Sequence, residues 1–154
     1  MMEYLKEGEA APEFTATDQN GKEVSHADFR GKKTILYFYP KDSTPGCTKE
    51  ACDFRDNYEM LAKQGFQVIG VSADTEKSHK KFIDKYDLPF SLISDPEKEM
   101  IQKYHAWGPK KFMGREYDGI HRITYVIDEE GKIEKIIEKV KTKEASKQVL
   151  EALA

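Results

Sequence analysis

Long apolar runs, charge of one sign and cysteine are what this 154-residue chain has least of. No stretch approaches the roughly 18–20 consecutive apolar residues of a membrane-spanning helix, so no membrane span or membrane partner is expected. Lysine and arginine number 25 against 28 aspartates and glutamates, which leaves a net charge of −3. That balance gives no reason to expect nucleic acid, and there is no acidic tail. The opening segment Met1–Glu7 lacks the apolar region of a secretory signal, which makes the cytoplasm the expected location. Repeats, low-complexity tracts and linkers are also missing. Residues 1–154 are therefore read as one domain, long enough to bury a real core.

The shortage of cysteine is informative in itself. Two cysteines do not make a structural disulfide framework in a reducing compartment. Their C-x4-C spacing is neither a zinc knuckle nor the C-x2-C of a thioredoxin-type redox motif. The four histidines, His26, His79, His105 and His121, add no recognisable ligand spacing and are read as surface or loop residues. Catalysis or redox sensing is left as the reading for the cysteines.

Both cysteines lie in Tyr39-Pro40-Lys41-Asp42-Ser43-Thr44-Pro45-Gly46-Cys47-Thr48-Lys49-Glu50-Ala51-Cys52. Before it, Thr34–Tyr39 is a continuous run of β-formers, the pattern of a strand buried on both faces. Pro40 ends that strand because it has no N–H to donate. Thr44-Pro45 reads as a helix start, with Thr44 as N-cap and Pro45 at the first helical position. Cys47 then falls in the first turn, where unpaired N–H groups and the positive end of the macrodipole favour thiolate over thiol. The helix is expected to run to about Lys63, with Ala51, Phe54, Tyr58, Leu61 and Ala62 on one face and Gly65 at its end.

The remaining elements follow from periodicity and turn residues. Asn20-Gly21 separates Phe14–Asp18 from Lys22–Ser25, which predicts an N-terminal hairpin. Phe66–Val71 reads as a second buried strand, about Thr75–Tyr86 as a helix, and Phe90–Ile93 as a short strand. A further helix is expected to start at Asp95-Pro96. His105–His121 breaks into Gly, Pro, Lys and scattered aromatics and reads as a long, ordered loop. Strands at Ile123–Ile127 and Ile133–Ile137 and a helix at about Lys143–Leu153 complete the chain. Alternating βαβ units with hairpins imply an α/β fold, a mixed sheet covered by helices on both faces. Sites in such sheets gather at the carboxyl ends of the strands, where Cys47 falls.

A cysteine that attacks peroxide must be a thiolate, admit a small substrate and stabilise charge as the O–O bond breaks. The helix N-terminus supplies donors for the first and last of these. Thr44 is a candidate hydrogen-bond partner of the sulfur or the peroxide, and Pro40 a candidate shield from water; cap and strand end are their plain structural roles. A nearby cation would favour the thiolate further. Arg55 lies about 12 Å along the helix from Cys47 and is poorly placed; Arg122, opening a strand after the long loop, is the other candidate. Cys47 and Cys52 point about 140° apart on a helix, with an axial rise of about 7.5 Å, beyond the roughly 7 Å Cα separation a disulfide accepts. If that bond forms, the first turns must unwind.

Pro40-Lys41-Asp42-Ser43-Thr44-Pro45-Gly46-Cys47 matches the peroxiredoxin signature P-x-x-x-T-x-x-C. Cys52, five residues on, stands at the second-cysteine position of the peroxiredoxin Q or bacterioferritin comigratory protein branch. Trp107–Gly114 and Tyr117–Arg122 look like the segment before that family's active-site arginine. The chain resembles this branch from about Gly8 to Leu153. The resemblance implies a thioredoxin-like fold and a peroxidase acting on hydrogen peroxide and organic hydroperoxides. It implies Cys47 as the attacking (peroxidatic) thiol and Cys52 as the resolving thiol, joined as an intramolecular disulfide, with Thr44, Pro40 and Arg122 at the site. Thioredoxin or a similar dithiol protein would be the reductant. No metal, haem or flavin is implied, and a monomer is expected, with dimers known in the branch. Three other readings stay open at this point: a one-cysteine peroxidase with Cys52 merely structural, a general thiol–disulfide oxidoreductase, and a holdase using the aromatic 105–121 segment.

Overall fold

Strand β3 (Lys33–Phe38) is the backbone of the sheet because every side chain from Thr34 to Phe38 is buried. A computed structural model describes residues 3–154; Met1 and Met2, part of the segment read for a secretory signal, lie outside the described residues. Around β3 run β1 (Thr15–Asp18), β2 (Glu23–Ser25), β4 (Phe66–Ser72), β5 (Ser91–Ser94), β8 (Ile123–Ile127) and β9 (Ile133–Ile137). They form one seven-stranded sheet in the order β2-β1-β5-β4-β3-β8-β9. The β3–β4 and β4–β5 pairs are parallel, and every other pair in this sheet is antiparallel. This is the mixed sheet, parallel at its centre, that the alternating pattern implies.

Strand alternation sends side chains to two cores. Leu36 and Phe38 join Ile69 and Val71 with Met100, Ile101 and Tyr104 on one side. Ile35, Tyr37 and Tyr39 pack on the other against Phe54, Leu61, Phe82 and Val149. The first group meets helix α4 (Glu99–Lys103); the second meets α1 (Pro45–Asp56), α2 (Tyr58–Lys63), α3 (Glu76–Tyr86) and α5 (Ala145–Leu153). Each large side chain so buried contributes about 1.5–3 kcal/mol relative to exposure. No helix among the described residues is long and apolar enough to cross a membrane.

The structure revises several boundaries. The helix expected over Pro45–Lys63 is two helices, broken at Asn57, where the side-chain amide and the backbone N–H both bond to the Asp53 carbonyl. The expected loop at 105–121 is a hairpin of β6 (Trp107–Phe112) and β7 (Arg115–Ile120). Its Met113-Gly114 turn has positive φ at both residues, 51° and 79°, the geometry of the tight turns that match strand twist. Its strands are largely exposed, so no alternation of apolar and polar residues marked them. Helix α4 begins at Glu99, later than Asp95-Pro96, though Asp95 still caps it by accepting from the Ile101 N–H at 2.8 Å.

Candidate active site

The chain leaves β3, passes through Tyr39 and Pro40, turns at Lys41–Thr44 and enters α1. Tyr39 extends the ladder by one bond, its N–H donating to the Val71 carbonyl at 3.1 Å, and Pro40 then ends it. Ser43 adopts φ 62°, a left-handed conformation that turns the chain up into the helix. Cys47 is the third residue of α1 and is only 1% exposed. The first intrahelical bond runs from the Thr48 N–H to the Thr44 carbonyl at 2.9 Å. The N–H groups of Gly46 and Cys47 precede it and have no helical acceptor.

Thr44 sits at the cap position without acting as the expected side-chain cap. Its hydroxyl instead donates to the Lys41 carbonyl at 2.8 Å. With the proton committed there, the oxygen lone pairs are left to accept. Pro40 is half-buried between Tyr39 and this turn.

Arg122 reaches the sulfur through strand pairing. The antiparallel register sets Ile123 of β8 against Phe38 of β3, so Arg122 arrives beside the point where β3 ends. Its Nη2 lies 3.3 Å from Cys47 Sγ and its Nη1 is 2.7 Å from Glu50 Oε1. Gly46 gives it room, since a Cβ there would stand 3.2 Å from Nη2. Burial works against the guanidinium charge, but the Cys47 sulfur and the Glu50 carboxylate outweigh it and hold the cation more firmly. Arg55 turns away, donating to the Tyr86 carbonyl at 2.8 Å and to Asp56. Cys52 is a half-buried free thiol further along the same intact helix.

Two residues escaped the reading of the sequence. Glu50 is fully buried, and its Oε2 has no partner among the described residues. Burial pushes its carboxyl up to about 7 although Arg122 pulls the other way. Its (i, i+3) spacing from Cys47 puts the two on one helix face, a signal that was available. The other is His79. Expected at the surface or in a loop, it is fully buried on α3 beneath the Pro40–Thr44 turn, because its ring finds polar partners on both sides.

A thiol that exchanges with disulfides of other proteins must be open to a macromolecule. Cys47 is covered, 1% exposed, with the Arg122 cation 3.3 Å from its sulfur and a place in the first helical turn, an arrangement that favours a small oxidant over a protein disulfide. This is the organisation of a thiol peroxidase on a thioredoxin-like fold. The profile of the AhpC/TSA family matches residues 8–136, and the chain belongs to that family, within its Bcp or peroxiredoxin Q branch. It is 46% identical over 152 residues to the putative peroxiredoxin bcp of Haemophilus influenzae, covering 99% of this chain and 98% of that protein. Against peroxiredoxin Bcp of Escherichia coli it is 45% identical over 141 residues, 92% and 90% of the two chains. The structure of Xanthomonas campestris bacterioferritin comigratory protein in a trapped intermediate/ligand complex superposes with a TM-score of 0.85. Identity there is 33%, and 91% of this chain and 89% of that one are covered.

Proposed function

We propose that this enzyme reduces hydrogen peroxide and organic hydroperoxides with Cys47 as nucleophile and Cys52 as resolving thiol, and that a thioredoxin-like dithiol protein restores it. The observation that carries the reading is the buried Cys47 sulfur in the first turn of α1 with Arg122 Nη2 at 3.3 Å. The thiolate attacks the nearer peroxide oxygen and the O–O bond breaks. The sulfur gives up two electrons and becomes a sulfenic acid, and the other oxygen leaves as water or an alcohol after taking a proton. Arg122 and the N–H groups of Gly46 and Cys47 face the charge that develops on the oxygens. The Thr44 oxygen accepts from the peroxide hydroxyl, and Pro40 keeps bulk water from the sulfur. The Xanthomonas relative's alkyl peroxide reduction activity supports organic hydroperoxides as substrates.

In the second step Cys52 attacks the Cys47 sulfur, water leaves and a disulfide forms. The helical spacing of the pair is too wide for that bond, so the first turns of α1 unwind to form it. An oxidised structure is expected to show residues 45–55 non-helical; a disulfide within an intact helix would refute this step. The reading places the protein in the cytoplasm, where reductants keep both thiols free, and has it act as a monomer.

The test is peroxide consumption by wild type, Cys47→Ser and Cys52→Ser with thioredoxin, thioredoxin reductase and NADPH. Cys47→Ser is expected to be inactive, and Cys52→Ser to react once without turning over. Normal turnover by Cys52→Ser would remove the resolving role and favour a one-cysteine cycle. No consumption by wild type would sink the substrate assignment.

A further inference from the structure

Beneath the active-site turn lies a buried hydrogen-bonded cluster that the steps above leave unused. Asp42, in the middle of that turn, is 6% exposed. Its Oδ1 accepts from the Tyr39 hydroxyl at 2.5 Å and its Oδ2 from the Ser78 hydroxyl at 2.8 Å. His79 Nδ1 lies 2.7 Å from the same Oδ2. On the far side of the ring, Nε2 lies 2.9 Å from the Ile93 carbonyl. A carbonyl only accepts, so Nε2 carries a proton and the ring is fixed between β5 and the turn. Asp42, Asp74 and His79 come close enough to suggest a cation site, but both ring nitrogens are already engaged. The cluster is a brace.

The brace acts on one peptide plane. The Asp42 N–H donates to Asp74 Oδ2 at 2.8 Å, and Asp74 is held in turn by the Ser72 hydroxyl at 2.6 Å. The carbonyl of that same planar Lys41–Asp42 peptide takes the proton of the Thr44 hydroxyl. Fixing Asp42 therefore fixes the direction in which the Lys41 carbonyl points, and with it the Thr44 rotor. Between them, Ser43 is kept in a left-handed conformation that a residue with a Cβ holds only when its surroundings enforce it.

We propose that His79, acting through Asp42, is a positioning residue that locks the Thr44 hydroxyl as an acceptor for the incoming peroxide. The inference rests on the peroxidase reading with Cys47 as nucleophile. Without His79 the Asp42 side chain loses a buried partner and the Lys41–Asp42 peptide is held by Asp74 alone. The Lys41 carbonyl then fixes the Thr44 proton, and so the direction of the oxygen lone pairs, less firmly.

The experiment uses the Cys52→Ser protein, so that only the first step is observed. The rate constants for loss of the Cys47 thiol to hydrogen peroxide and to iodoacetamide are measured for His79→Ala, Thr44→Val and the double variant. His79→Ala is expected to slow the peroxide reaction about tenfold to a hundredfold, the scale of a misplaced reacting group. It should not slow alkylation, which needs no hydrogen bond from a peroxide. The double variant should be no slower than Thr44→Val alone, because the two act as one unit. Should His79→Ala not fold, Ser78→Ala removes one donor to Asp42 at a half-buried position and runs through the same cycle with a smaller loss. Multiplying losses in the double variant, or an unchanged peroxide rate in a folded brace variant, would overturn the inference alone. A Cys52→Ser parent that does not react with peroxide would overturn the peroxidase reading and this inference with it.

Discussion

Replacing Glu50 by glutamine removes the one buried carboxylate on the Cys47 face of α1 while keeping an acceptor for Arg122. Glu50 is fully enclosed, one oxygen bonded to Arg122 at 2.7 Å and the other without a partner among the described residues. Burial raises its carboxyl from 4.5 to about 7, against the pull of the guanidinium. The folded protein therefore binds this proton more tightly than the unfolded chain does. The resulting stability is fully present below about pH 4.5 and is lost as pH rises through about 7. The separation of the two values corresponds to about 3 kcal/mol. Urea denaturation of wild type and Glu50→Gln between pH 4.5 and 8 isolates the contribution of this carboxyl, since the other titrating groups largely cancel in the difference. Relative to wild type, the glutamine variant is expected to gain about 3 kcal/mol across that range. A difference that stays flat with pH would refute the reasoning. It would mean that the ion pair fully offsets burial and that Glu50 titrates as an ordinary carboxylate.

Arg122→Met keeps the bulk and removes the cation 3.3 Å from the sulfur; the peroxide rate constant should fall about a hundredfold or more, and a stopped-flow loss under threefold would contradict its role. Gly70→Ala places a Cβ 2.8 Å from both Leu92 Cδ2 and Tyr37 Cζ in the middle of the sheet. It should cost about 1–3 kcal/mol in urea denaturation, and an unchanged midpoint would show that the core yields there. Asp53 on α1 accepts the Ser146 N–H at 2.7 Å and so caps α5, whose own cap residue Glu144 makes no side-chain capping bond. Asp53→Ala should cost about 1 kcal/mol and quicken disulfide formation after peroxide, because the contact opposes unwinding of α1. Slower formation would argue against an unwinding step.

Much of the architecture was readable because its signals are local. A run of β-formers such as Thr34–Tyr39 suits a strand buried on both faces, and Thr44-Pro45 reads as a helix start from local preference alone. The 105–121 hairpin was not readable. Its pairing buries little, so Phe112 and Tyr117 stay exposed and no period of two appears. The break at Asn57 was equally hidden, since Ala51, Phe54, Tyr58 and Leu61 keep a helical period through it.

The site divides along the same line. Sequence by itself determined the candidate segment: a cysteine in the first turn of a helix, a second cysteine five residues on, and a proline and a threonine before them. All of these are separations along one stretch of backbone, where dihedral preference and capping fix the geometry. Only the tertiary structure decided which charges and braces surround that cysteine. Arg122 comes from 75 residues away and meets the sulfur because β8 pairs with β3 in one register. His79 reaches Asp42 across 37 residues because α3 packs on the same face as α1. Glu50 is adjacent in sequence, but its protonation depends on enclosure by distant elements, and no local pattern marks a carboxylate as buried.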